Sequence, residues 1–120
     1  MRSRWIPAAA WALVIEALIV WPHPPSLPRA WSVPGIDKVV HAVLFGVMAV
    51  LAMRAMASRG RAWIVAFVGT VAFGAFTEAQ QYFIPSRSME LGDILADTAG
   101  AAMGLVLFVT LAQRRREFSR

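Results

Sequence analysis

The chain has 120 residues, 58% of them hydrophobic, no cysteine and a formal net charge of +5. A soluble domain averages about 45–50% apolar residues, so the composition predicts a single membrane domain over residues 1–120. The absence of cysteine excludes disulfides, thiolate metal sites and cysteine nucleophiles, and short arginine clusters between apolar stretches suit an anionic membrane surface, not nucleic acid.

The first apolar stretch covers residues 6–21, between Trp5 and Trp21, which fit interfacial anchors. It is short for a span, and Arg2 and Arg4 can snorkel to extend it. Glu16 within it, and an exit of Trp21-Pro22-His23 without a small-residue cleavage site, predict a retained helix instead of a cleaved signal. Residues 22–35 hold five prolines and form the longest loop. The second stretch, 36–56, and the third, 62–84, are joined by a tight basic turn over 57–61. A second tight turn at 85–90 leads into the fourth stretch, 91–112, and a basic tail follows. Spans need roughly 20 apolar residues, so the expected architecture is an all-α bundle of four transmembrane helices.

The charge pattern predicts the orientation. With a cytoplasmic N-terminus, nine of the 12 basic residues lie inside: Arg2 and Arg4, then Arg54, Arg59 and Arg61, then Arg114, Arg115, Arg116 and Arg120. Only Arg29, Lys38 and Arg87 lie outside. Both termini are then cytoplasmic, and the expected location is the inner (plasma) membrane, multi-pass. Six of the 7 acidic residues fall in the outer half, with only Glu117 inside.

Helical spacing groups the polar residues further. Asp37 and His41 share a helix face, as do Asp93 and Asp97. Thr70, Gly74, Thr77, Glu78 and Gln81 form a polar and small stripe. Gly92, Ala96, Gly100 and Gly104 make a small-residue ladder of the kind that lets membrane helices approach closely. A charged group at a lipid-facing helix centre costs about 2.5–3.5 kcal/mol, so these stripes are expected to face the bundle interior.

Two segments resemble the signature of VanZ-like proteins. One is Glu78-Ala79-Gln80-Gln81-Tyr82-Phe83-Ile84-Pro85-Ser86-Arg87, followed by Asp93 to Gly100 and by Gly104. The other is Asp37-Lys38-Val39-Val40-His41 with Phe45. Asp97 stands where that family usually has Asn. The resemblance implies a small bacterial cell-envelope membrane protein. The founding member is linked to low-level resistance to the glycopeptide teicoplanin, so a contribution to glycopeptide resistance is what the resemblance implies here.

The candidate ligand-binding set is Asp37, Lys38, His41, Glu78, Gln81, Arg87, Asp93 and Asp97. His41 and Glu78 are the catalytic candidates, because imidazole titrates near neutrality and an intramembrane carboxylate can carry a proton. Each residue also has a structural alternative. His41 can bond Glu78 or Asp97, Glu78 can pair with Lys38 or Arg87, and Arg87 can pin the turn to Asp37 or Asp93. Asp37 and Asp93 can cap their helices. A metal site from His41, Glu78, Asp93 and Asp97 would draw on three helices and matches no local ligand motif, so neither metal nor cofactor is expected. Three functions remain open. The chain could bind a lipid-linked wall precursor, another anionic lipid or a glycopeptide-related ligand at its outer face. It could be an enzyme acting on a lipid-linked substrate there. The polar layer could also be purely structural.

Overall fold

The structure is a computed structural model describing residues 2–21, 33–57, 59–85 and 87–120. It contains four helices: α1 (Arg2–Ile19), α2 (Ile36–Ala55), α3 (Ala62–Tyr82) and α4 (Leu91–Phe118). No strand occurs among the described residues. The expected all-α, four-helix architecture is therefore found, with shifted ends. Helix α3 stops at Tyr82 instead of residue 84, because Pro85 disfavours a helical conformation in the residue before it. Helix α4 runs on to Phe118, since Ala112 to Phe118 contains no glycine or proline to stop it. Most of the proline-rich loop expected at 22–35 lies outside the described residues. Its last residue, Gly35, takes φ 84°, a left-handed conformation that suits glycine, and leads into α2.

Three helices, α2, α3 and α4, are long and apolar enough to cross a membrane. Helix α1 has 18 residues, a rise of about 27 Å against a hydrocarbon core of about 30 Å. The bundle exposes Leu13, Phe76, Leu95, Met103 and Leu107, and such an apolar surface is stable in lipid, not in water.

The tightest contact joins α2 and α4. Lys38, His41, Ala42 and Gly46 meet Asp93, Asp97, Gly100 and Gly104 in the same order, so the two helices run parallel. They touch through bare backbone. A Cβ on Gly104 would stand 2.5 Å from the Gly46 carbonyl oxygen, one on Gly46 2.9 Å from that of Gly100, and one on Gly100 would overlap the Ala42 carbonyl. Side chains at these positions would force the axes apart.

Two apolar clusters fill the interior. Ile15, Ile19, Leu44 and Phe45 pack beneath the polar end, with Trp11 and Phe73 against them. The second cluster is built largely from alanines, Ala49, Ala52, Ala62, Ala66 and Ala101, closed by Met53 and Leu105. Trp11 Nε1 donates to the Leu44 carbonyl at 2.8 Å and fixes α1 against α2.

Candidate functional site

The polar residues gather where α2 and α4 begin and α1 and α3 end. Lys38 is the hub. Its ammonium donates to Asp37 at 2.7 Å, to Glu90 at 2.6 Å and to Asp93 Oδ1 at 2.6 Å. One lysine thus draws the N-terminus of α4 onto that of α2. The carboxylates of Asp37 and Asp93 are engaged by Lys38, and no side-chain bond caps either helix at Gly35 or Glu90.

His41 sits one turn deeper and is buried. Its Nδ1 lies 2.7 Å from Asp97 Oδ1, and its Nε2 lies 3.7 Å from Asp93 Oδ2. Of the two structural partners open to His41, Asp97 is the one it contacts. Asp97 in turn fits beside Gly74 of α3: a Cβ there would come 2.7 Å from Asp97 Oδ2. The glycine in the α3 stripe therefore makes room for a carboxylate of α4.

Glu78 is 0% exposed. Its Oε2 accepts the backbone N–H of Glu90 at 3.1 Å, so this side chain satisfies the N-cap residue of α4 from a neighbouring helix. It does not form the ion pair with Lys38 or Arg87 open to it on sequence grounds. Glu78 Oε1, Asp97 Oδ2 and Thr70 Oγ1 are buried without a hydrogen-bond partner among the described residues. Such atoms are costly in a low-dielectric interior.

Gln81 and Arg87 turn toward α1. Gln81 Nε2 donates to the Ile19 carbonyl at 2.8 Å. Arg87 donates through Nε to Trp21 O at 3.2 Å and through Nη2 to Leu18 O at 3.3 Å. Together they satisfy carbonyls that the end of α1 leaves open. Arg87 is thus anchored to α1 and not to Asp37 or Asp93. Glu16 of α1 meets Gln80, whose amide nitrogen, turned toward it, donates to both carboxylate oxygens at 3.2 Å.

A pocket of about 220 Å³ opens over this network, lined by His41, Gln81, Arg87, Glu90 and Asp93 among others. A larger groove of about 710 Å³, walled by Val43, Val47, Met103 and Leu107, follows the glycine contact between α2 and α4 and is almost wholly apolar. Two triads bring possible metal donors within 4.8 Å of one another: His41, Glu78 and Asp93, and the more exposed Asp37, Glu90 and Asp93. Lys38 already occupies the centre of the second.

Glu90 escaped the sequence-based selection of site residues. Its only sequence signal is an acidic residue immediately before α4, which begins at Leu91. Charge spacing along one chain does not reveal its cross-helix contact with Lys38.

A protein-family model described as VanZ/LLP1 matches residues 2–112. No curated protein and no solved structure matches the chain significantly.

Proposed function

The chain belongs to the VanZ/LLP1 family, and we propose that it is a cell-envelope membrane protein whose polar pocket engages a lipid-linked wall precursor or a glycopeptide-related ligand. One observation carries this reading. A pocket of about 220 Å³, lined by acidic, basic and polar side chains of α2, α3, α4 and the turn that leads into α4, opens where these helix ends meet. Helix ends from the whole bundle converge there. We place that end at the outer face of the plasma membrane, because the basic residues cluster at the opposite ends of the helices. A contribution to glycopeptide resistance follows as part of the same proposal.

The test uses purified protein in nanodiscs and a lipid-linked peptidoglycan precursor, with teicoplanin as a second probe. Binding should weaken about tenfold, or about 1.4 kcal/mol, in His41→Ala. Susceptibility of cells carrying the same variant should rise while its membrane abundance stays at the wild-type level. Unchanged binding and unchanged susceptibility, with the protein present, would remove the reading.

An enzymatic reading has one observation in its favour. Asp97 holds His41 Nδ1 at 2.7 Å, as an orienting carboxylate holds a histidine general base, and leaves Nε2 toward Asp93 and the pocket. Glu78 is the second acid–base candidate. Incubation with phospholipids and polyprenyl-linked precursors distinguishes the two readings, since only an enzyme gives product.

A further inference from the structure

Glu78, Asp93 and Asp97 are all buried, and buried carboxylates require donors or cations. Each has part of its need met. Asp93 Oδ1 takes Lys38 at 2.6 Å, while Oδ2 faces His41 Nε2 at 3.7 Å. Asp97 Oδ1 takes His41 Nδ1 at 2.7 Å. Glu78 Oε2 takes the Glu90 N–H, whereas Oε1 has no partner among the described residues although the side chain is fully buried. A carboxylate oxygen of Glu78, one of Asp93 and a ring nitrogen of His41 all lie within 4.8 Å of one another.

This is the arrangement that a metal ion needs. Two donors each about 2.1 Å from a tetrahedral ion stand roughly 3.4 Å apart. His41 Nε2 and Asp93 Oδ2, at 3.7 Å, are near that separation. A metal-bound histidine commonly gives its other ring N–H to a carboxylate, which fixes the tautomer and the ring plane. Asp97 stands in that position behind His41, and Lys38 holds the far oxygen of Asp93 in the same way. The unpartnered oxygen of Glu78 supplies the observation independent of these contacts.

We infer that His41 Nε2, Asp93 and Glu78 form a binding site for a divalent transition-metal ion, zinc or manganese, oriented by Asp97 and Lys38. The imidazole donor selects against magnesium and calcium, which take oxygen ligands. Three protein ligands leave a coordination position open, as in catalytic zinc sites, and His41 and Asp93 both line the pocket that would reach it. Sequence spacing hides such a site, because its donors come from α2, α3 and α4. That is why the sequence alone predicts no metal. The inference stands on this geometry and not on the ligand reading above.

Full-length protein in detergent, stripped with a chelator and dialysed against zinc or manganese, should retain about one ion per chain by elemental analysis. Cobalt in place of zinc should give the visible absorption of a low-coordinate site. His41→Ala and Glu78→Gln should lose the ion. Asp97→Asn should weaken binding about 10–100-fold, the effect expected of an orienting partner. Glu117→Gln, at the far end of α4, should keep the wild-type stoichiometry. Wild-type protein that retains none of the three metals overturns the proposal, whatever the variants do. So does a His41→Ala or Glu78→Gln protein with wild-type helical circular dichroism that holds the ion as tightly as wild type. Metal retention without binding of precursor or teicoplanin would support this site and count only against the ligand reading.

Discussion

At the scale of single residues, the contact between His41 and Asp97 concentrates the energetic stakes. Both side chains are buried, so removal of one partner leaves the other without its bond in a medium that cannot solvate it. Asp97→Ala should destabilise the protein by about 3–5 kcal/mol, the cost of breaking a buried pair. Asp97→Asn keeps an acceptor oxygen for Nδ1 and should cost only about 1 kcal/mol. Unfolding in mixed detergent micelles measures both, and equal losses would mean that the pair contributes nothing specific. Arg87 offers a second test. Its donors serve Leu18 and Trp21, so Arg87→Ala should loosen the end of α1 while α2 and α4 stay paired. A cysteine at Trp21 should then react faster with a soluble maleimide than in the Arg87 background.

At the scale of elements, the glycines separate by neighbour and not by type. Gly100→Ala places a methyl group against the Ala42 carbonyl, a rigid backbone atom, and should cost about 1–3 kcal/mol through overpacking. Gly69, also helical, has nothing within 4 Å of its added Cβ. Gly69→Ala should therefore be neutral or gain up to about 1 kcal/mol from helix propensity. Thermal midpoints in one detergent, compared side by side, decide whether close approach or composition governs this bundle. Helix existence was legible in the sequence because three stretches are long and apolar and the first, though shorter, is a continuous apolar run broken only by Glu16. The end of α4 was not, because its charged tail breaks the apolar run while its residues still favour helix. The glycines at four-residue spacing were visible as a ladder, but the identity of the facing helix was not. That pairing depends on Ala42 and Gly46, which carry no comparable signal in the chain. For the polar cluster, the sequence indicated which residues share an end. It did not show that Gln81 and Arg87 turn to α1 carbonyls, because backbone acceptors leave no trace in side-chain patterning.

At the scale of the whole molecule, α4 is longer than a bilayer core needs. Its 28 residues rise about 42 Å against about 30 Å of hydrocarbon. The excess carries Arg114, Arg115 and Arg116 out at the end away from Lys38 and Asp93, where anionic head groups can meet them. The orientation proposed above has a direct test, since no native cysteine interferes. A cysteine at Ser88 should react with a membrane-impermeant reagent added to intact cells, and one at Ser119 only after lysis. The reverse pattern would invert the molecule and place the pocket in the cytoplasm.

The parallel pairing of α2 with α4 also orders events during synthesis. Lys38 and His41 leave the ribosome first, but Asp93, Asp97 and Glu90 follow only after the whole of α3. A nascent chain that has inserted only α1 to α3 therefore holds a lysine paired with Asp37 alone and a histidine without Asp97, and Glu78 lacks the N–H that it will accept. Arrival of the last helix discharges all of these obligations in one step. Until then these polar groups lack the partners that α4 supplies, so chains truncated before Leu91 should be short-lived in the cell while full-length chains persist.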